Sequence, residues 1–323
     1  MASKLHTHIV SDDEADIRLD RWFKRHFPEL THGQLQKLLR TGQVRVSGKR
    51  AEASTRLESG QDIRVPPQVI APPKAHVEKQ SSRTSNTLKK LIIFEDDDVI
   101  AINKPAGLAV QGGTGLKENL DDMLRSLAGE GKAKPKLVHR LDRDTSGVLL
   151  LARTAYAATK LAESFRHRET QKIYWALTVG IPKPEQGRIA APLIKQGETM
   201  AVDEEGHEDA KTAITVYQIV ESAKKLAAFV AMWPITGRTH QLRVHMAYIG
   251  TPILGDRFYG GEQSLGVPED ELGQGLHLHA RRLIIPHPRR GTIDVSAPLG
   301  VEMRKTWKWF GFEQDAETDF SDA

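Results

Sequence analysis

The chain has 323 residues, of which 39% are hydrophobic and 27% charged, which is ordinary for a globular protein and long enough for more than one domain. Because it has no cysteine, disulfides, thiolate metal sites and cysteine nucleophiles are excluded. The sequence contains no run of 18 apolar residues and no signal-like start, so we expect a cytoplasmic protein without membrane spans. The formal net charge of +4 favours a polyanionic partner only weakly.

The first predicted unit, residues 11–66, consists of two short helices followed by a small sheet. The apolar residues that recur at helical spacing are Leu19, Trp22, Phe23, Phe27, Leu35, Leu38 and Leu39. Basic side chains crowd the other helical positions and the turn at residues 47–48, where phosphates can be reached. The residues predicted to bind RNA here are Arg21, Lys24, Lys37, Arg40, Arg45 and Lys49. The alternative is a helical adaptor with a solvated basic face.

The rest of the chain divides by composition. Residues 67–90 are rich in Pro, Ser and Thr and are predicted to be a flexible linker. Residues 91–312 intersperse strands and helices without a regular βαβ rhythm, which predicts an α+β domain with a mixed, mainly antiparallel sheet. Residues 313–323 contain five acidic residues and no Lys or Arg. We expect them to form a frayed, solvated tail.

Three segments of the second domain carry polar residues next to apolar strands or helices. Strands are predicted at 137–141 and 148–152, with a turn between them. In the strand near residue 175, Tyr174 should face away from its apolar neighbours Ile173 and Trp175. A helix is predicted at 239–249, where His240 and Arg243 would share a cationic face that holds a phosphate or a buried carboxylate. A solvated basic face is the alternative.

Two other clusters are less specific. Residues 111–115 are Gly-rich but lack the Gly-Lys-Ser/Thr ending of a phosphate-binding loop, so a flexible active-site loop is favoured. His277 and His279 would face the same side of a strand, as metal ligands should, but no carboxylate lies at a supporting spacing. Alternating Leu and His on a half-buried strand is the preferred interpretation.

Asp142 and Asp144 lie on the turn between the two predicted strands, where a rigid scaffold can present a reactive group. Arg140 and Arg143 flank Asp142 and would keep its carboxylate ionised, which suits a nucleophile better than a general acid. Asp144 suits a turn, because its side chain can bond the local backbone. From spacing alone, either carboxylate could be the catalytic one.

The order of these segments resembles the RluA-type pseudouridine synthases, and most closely their ribosomal large-subunit members. The segments that carry the resemblance are residues 103–107, 139–147, 172–180, 237–245 and 255–260. The leading unit resembles a small RNA-binding module first described in a ribosomal protein of the small subunit. The resemblance implies a pseudouridine synthase fold and conversion of uridine to pseudouridine in RNA, without a cofactor or a metal ion. Ribosomal RNA is the preferred substrate.

The resemblance also implies roles for individual residues. Asp142 would be the catalytic aspartate, and Arg243 its basic partner through a charge-assisted hydrogen bond. Tyr174 would stack on the uracil and help to move the proton from carbon 5. Arg140 would fill the gap left by the flipped nucleotide. Two further residues, Lys104 and Arg238, would order the site or contact phosphate.

Three alternatives to this function are open at this point. The first is a catalytically silent RNA-binding factor for ribosome assembly on the same fold. The second is an enzyme that modifies transfer RNA. The third is a glycoside hydrolase that uses Asp142 and Asp144 as its two carboxylates. We further expect a monomer with no obligate protein partner.

Overall fold

A computed structural model of the chain forms two compact units, residues 1–77 and residues 78–323. The division lies inside the segment predicted as a linker. The residues that the structure describes are 6–27, 30, 32–70, 88–111, 119–128, 133–167, 170–261, 265–268, 270–318 and 320. Most of the predicted Gly-rich loop lies outside them.

The first unit is a three-stranded antiparallel sheet with two helices that share its core. Its elements are β1 (His6–Ile9), α1 (Leu19–His26), α2 (His32–Arg40), β2 (Arg45–Val46), β3 (Asp62–Val65) and α3 (Pro67–Ile70). The predicted apolar side chains of α1 and α2 are buried, which confirms both helices. Strand β1 pairs with β3 and was missed, because its exposed and half-buried side chains lack an apolar alternation.

The second unit is built on one sheet of ten strands and a separate two-stranded hairpin. The sheet strands are β4 (Ile92–Glu95), β5 (Val99–Lys104), β6 (Lys136–Leu137), β7 (Ser146–Ala152), β8 (Gln171–Val179), β9 (Gln186–Ala190), β12 (Ile214–Ala223), β13 (Ala227–Pro234), β14 (Leu278–Pro286) and β15 (Thr292–Ser296). The hairpin strands are β10 (Leu193–Gln196) and β11 (Thr199–Val202). Among the described strands only the β7–β14 pairing is parallel, which confirms the predicted mixed, mainly antiparallel sheet.

Helices cover both faces of this sheet. They are α4 (Leu120–Met123), α5 (Ala155–Arg166), α6 (Gln241–Tyr248) and α7 (Val301–Phe310). On one face the odd-numbered residues of β8 pack against Trp307 of α7. On the other face Ala176 of β8 packs against Met246 of α6. Strand β8 therefore lies between two helix layers and contributes alternate side chains to each.

The segment after α7 corrects the prediction of a frayed acidic tail. The indole N–H of Trp175 donates to the Thr318 hydroxyl at 2.9 Å, and Phe320 is buried against Trp233. Arg281 lies 3.7 Å from the Asp315 carboxylate. The acidic residues that the structure describes here, Glu313, Asp315 and Glu317, are exposed, but the residues between and after them close the core behind β8. The prediction was wrong because it was based on the number of acidic residues and did not consider that Thr318 and Phe320 could be buried.

Candidate active site

The turn between β6 and β7 presents Asp142, and glycine fixes where β7 begins. Gly147 has φ +109°, and a Cβ atom there would lie 2.2 Å from the carbonyl oxygen of Ala280 on β14. Only glycine permits this close parallel approach. The predicted strand over residues 137–141 is shorter than expected, since the imidazole Nε2 of His139 accepts the Leu150 amide hydrogen at 2.8 Å. The side chain thus replaces a backbone partner of β7.

Lys104 holds this turn from beneath and corrects the prediction that it could contact phosphate. Its side chain is fully buried, and its ammonium donates three hydrogen bonds of 2.9–3.0 Å to the carbonyls of Pro105, Leu108 and Arg143. Burial lowers the pKa of Lys104 to about 8, although the nearby Asp144 and Asp142 oppose that effect. Because all three protons are used internally, Lys104 orders the turn.

Asp144 and Asp142 have different surroundings. Arg143 donates to both carboxylate oxygens of Asp144, at 3.0 and 3.1 Å, and this hydrogen bonding lowers the pKa of Asp144. Arg143 was expected to act on Asp142, so that expectation is wrong. The side chain of Asp142 is 23% exposed, and its carboxylate accepts no hydrogen bond from the described residues. Asp142 is therefore the carboxylate left open to a substrate.

Tyr174 faces the cavity beside Asp142, as the alternation of β8 predicted. Its neighbours Ile173 and Trp175 are buried in the opposite face of the sheet. Burial raises the pKa of Tyr174, and the negative charge of Asp142 raises it further. The phenol therefore stays protonated at any working pH. It can stack on a base and donate a hydrogen bond, but it is a poor source of phenolate.

Arg243 is paired with a carboxylate other than the predicted one. Its guanidinium donates two hydrogen bonds of 2.7 Å to Asp256, and the side chains of both residues are almost completely buried. The expected hydrogen bond to Asp142 is absent from the described contacts, although the charge of Asp142 helps to raise the pKa of Arg243. Asp256 also accepts the amide hydrogens of Phe258 and Tyr259. Both rings lie under the guanidinium, at 5.5 and 5.0 Å.

His240 faces Asp142; the sequence predicted a carboxylate or a phosphate beside His240 but did not identify Asp142. Its Nε2 lies 4.0 Å from the Asp142 carboxylate. The Tyr259 hydroxyl accepts the Met200 amide hydrogen at 3.0 Å. The same hydroxyl lies 2.7 Å from Nδ1 of His240, which is the acceptor that the described residues offer to the phenol proton. When the Tyr259 hydroxyl donates to Nδ1, the imidazole proton is on Nε2, the atom that faces Asp142. Burial lowers the pKa of His240, opposed by Asp142, so the ring is neutral.

The backbone at His240 explains why the predicted helix starts late. The residue has a left-handed φ of 53° and precedes the first residue of α6, Gln241. The amide oxygen of Gln241 accepts both the Thr236 hydroxyl, at 2.7 Å, and the Arg238 amide, at 3.1 Å. The tight loop before α6 is therefore fixed by a helix side chain. A non-glycine residue in this conformation is uncommon and is found at functional sites.

The second unit has a cavity of about 480 Å³ whose walls include Asp142, Tyr174, His240 and Arg243. The predicted site residues among its walls are Arg140, Asp142, Tyr174, Arg238 and Arg243. His240 was predicted only as part of a cationic face with Arg243, and prediction from sequence missed His139 and Lys172 as part of this site. Only the position of Lys172, two residues before Tyr174 on the same face of β8, could have indicated it in advance.

The predicted RNA-binding residues differ in their exposure to solvent and in whether they have hydrogen-bond partners. Arg140 is exposed at the cavity and has no described partner, while Arg238 is exposed and donates to the Thr212 carbonyl at 3.0 Å. In the first unit, all of the predicted basic residues except Arg45 are exposed. Arg45 is half-buried and donates to the carbonyls of Gly42 and Gly48, so it also closes its own turn.

The two strand histidines are hydrogen-bonded members of the core. His277 contacts the Thr306 hydroxyl at 2.7 Å and the Gly275 carbonyl at 2.9 Å. His279 contacts the Ser146 hydroxyl at 2.8 Å and the Ala297 carbonyl at 3.0 Å. All four ring nitrogens are engaged, so the preferred core interpretation holds.

In the described part of the chain, no helix is long and apolar enough to cross a membrane.

Comparison with known proteins agrees with this geometry. Residues 98–248 match the family model of RNA pseudouridylate synthase. Ribosomal large subunit pseudouridine synthase C of Rickettsia bellii is 37% identical, over 83% of this chain and 89% of that protein. The protein of the same name from Salmonella typhi is 36% identical, over 92% of this chain and 93% of that protein. Human RNA pseudouridylate synthase domain containing 4 superposes with a TM-score of 0.62 and 30% identity, over 73% of this chain and 99% of that one. The chain therefore belongs to the family of RNA pseudouridine synthases.

Proposed function

We propose that the chain isomerises uridines to pseudouridine in large-subunit ribosomal RNA, with Asp142 as the reacting group. The observation that carries the assignment is the open carboxylate of Asp142 within a cavity that also contains Tyr174, His240 and Arg243. A carboxylate without internal hydrogen bonds keeps its electron pairs available, as a nucleophile or a base requires.

The residues around Asp142 have separable tasks in this proposal. The target uridine is flipped out of its stack, at a cost of a few kcal/mol, and the exposed Arg140 fills the gap that it leaves. Tyr174 stacks on the uracil as a neutral phenol. Arg243, fixed by Asp256, contributes a buried positive charge to the same cavity wall. Arg238 and the basic residues of the first unit add backbone affinity that weakens as salt rises.

Ribosomal RNA is the proposed substrate because both curated relatives described above are named as large-subunit enzymes. Transfer RNA is the alternative substrate, and the mapping experiment described below would detect its modification. The pairing of Asp144 with Arg143 removes the second free carboxylate that a glycoside hydrolase needs. A cytoplasmic location and a monomeric state stay predictions.

The central test is the replacement Asp142→Asn in cells that lack the native enzyme. Pseudouridine in ribosomal and transfer RNA is mapped by carbodiimide-based primer extension. The native chain restores modification at defined large-subunit positions, whereas Asp142→Asn restores none. Asp144→Asn is the matched control and retains modification, because Asp144 bonds to Arg143. Normal modification by Asp142→Asn would overturn the catalytic assignment, and restoration in transfer RNA alone would overturn the substrate assignment.

A second test addresses the first unit. A chain that begins at residue 88 keeps the catalytic unit, since Leu88 is buried in that unit's core. Its affinity for a large-subunit RNA transcript falls, and the slope of log affinity against log salt becomes shallower. Unchanged affinity and unchanged modification would show that the first unit has no RNA-binding role.

A further inference from the structure

Lys172 is a cation in the cavity wall whose charge is not compensated. It is only half-exposed, and its ammonium has no hydrogen-bond or ion-pair partner among the described residues. The other buried cations of this region differ in this respect, because Lys104 bonds to carbonyls and Arg243 bonds to Asp256. Burial lowers the pKa of Lys172, which indicates that its charge is costly in this place.

Lys172 and Asp142 act on different groups of the cavity wall. Lys172 helps to lower the pKa of His139, after burial, whereas Asp142 acts on Tyr174 and His240. The Lys172 Nζ atom is 3.9 Å from where a Cβ of Gly237 would lie. The part of the cavity at Lys172, beside Gly237, is called its cationic end below.

Thr170 is the second unsatisfied group at the cationic end. It lines the same cavity and is 5% exposed, and its hydroxyl has no hydrogen-bond partner in the described structure. Thr170, Lys172 and Tyr174 follow one another at intervals of two residues, so they lie on the same side of the chain as it enters β8. Two residues along a strand span about 6.6 Å, a separation that one nucleotide can bridge between its base and a phosphate.

We propose that Lys172 and Thr170 form a phosphate subsite for the RNA backbone next to the flipped uridine. The uracil lies against Tyr174, and an adjoining phosphodiester supplies the negative charge that the ammonium of Lys172 lacks in the free protein. A buried charge without a partner is stabilised most by an oppositely charged ligand. The subsite rests on RNA as the substrate and assigns to this cavity the contact that holds the backbone of the target nucleotide.

The test compares Lys172→Met with Lys160→Met. Lys160 is an exposed residue of α5 paired with Glu163 and does not line the cavity, so it controls for the loss of one charge. The probe is an in vitro transcript of large-subunit ribosomal RNA, with single-turnover modification and binding measured across a series of potassium chloride concentrations. Lys172→Met lowers kcat/KM at low salt on the order of tenfold to a hundredfold. Its binding slope against log salt becomes shallower by about 0.7.

Thermal unfolding of the full chain separates a binding role from a structural one. Because Lys172→Met removes an uncompensated charge without leaving a broken pair, its Tm equals or exceeds that of the native chain, while Lys172→Arg recovers most of the salt slope. A lowered Tm with an unchanged salt slope and kcat/KM would overturn the subsite. If the native chain binds the transcript but modifies nothing, the proposed function fails, and the salt slope of Lys172→Met still decides the subsite.

Discussion

The buried pair of Arg243 and Asp256 predicts a large loss of stability when its negative partner is neutralised. The replacement Asp256→Asn keeps the size of the side chain but leaves the guanidinium of Arg243 buried without its counterion. Both side chains are almost fully buried, at 4% and 0% exposure. Removing one partner of such a pair costs about 3–5 kcal/mol. For a unit of this size, that loss corresponds to a fall in Tm of roughly 6–20 °C.

The structure provides a matched control in an exposed pair of the same geometry. Arg282 donates to both carboxylate oxygens of Asp294, at 2.7 and 2.5 Å, with side chains 36% and 44% exposed. Asp294→Asn should therefore cost no more than about 1 kcal/mol. Urea unfolding followed by tryptophan fluorescence gives the free energy of unfolding for both variants, and equal m-values show that the transitions are comparable.

The difference in free energy of unfolding between Asp256→Asn and Asp294→Asn shows whether Asp256 is the counterion of Arg243. If Asp256→Asn and Asp294→Asn lose stability to the same small extent, Arg243 is not held by Asp256 and its buried charge is balanced elsewhere. Asp256→Asn also lowers modification of the RNA transcript, because the orientation of Arg243 beside Asp142 depends on the pair. A variant that is strongly destabilised yet fully active below its Tm would separate the fold of this loop from catalysis.

Three further predictions concern the scaffold of the site. Tyr259→Phe leaves the amide of Met200 without its acceptor, so hydrogen exchange at that amide becomes faster and kcat falls severalfold; unchanged exchange would contradict the assigned chain of hydrogen bonds. Burial lowers the pKa of His277 and His279 to about 4, so the unfolded chain takes up these protons first as pH falls. Stability in urea should therefore be fully retained above pH 6.5 and decline towards pH 4, by up to about 3 kcal/mol per histidine, and less steeply in His279→Gln. Gly147→Ala should abolish soluble folded protein, whereas Gly300→Ala, where a Cβ meets nothing within 4 Å, should not; recovery of a stable Gly147→Ala protein would show that β7 and β14 can separate.

The parts of the site that the sequence predicted depend on local patterns. The position of Tyr174 follows from alternation along one strand, and the turn that presents Asp142 follows from polar residues between two apolar runs. The start of α5 is fixed in the same local way, because the Thr154 hydroxyl accepts the Ala157 amide hydrogen at 3.0 Å. The mixed sheet followed from the irregular order of strands and helices.

The parts that the sequence did not predict depend on contacts between remote segments. Whether Lys104 reaches a phosphate or three carbonyls depends on a turn about 40 residues later. The partner of Arg243 could not be chosen by charge alone, because Asp142 and Asp256 are both close enough to affect its pKa. The hydrogen bond of His240 depends on Tyr259, whose hydroxyl also accepts the amide hydrogen of Met200 in the separate hairpin. Such choices are made by packing, which a one-dimensional pattern does not contain.

The alternation of β8 constrains how this protein can vary in length. Tyr174 serves the cavity, while its neighbour Trp175 packs against Phe229 and bonds to Thr318 on the far side of the sheet. Deleting or inserting one residue earlier in this strand would exchange the two rings, placing an indole in the cavity and a phenol in the core. A change of two residues would restore the sides. A change of one residue can therefore be tolerated only where a β-bulge absorbs it, as β14 does between Ala280 and Arg282, opposite Ile173 and Tyr174.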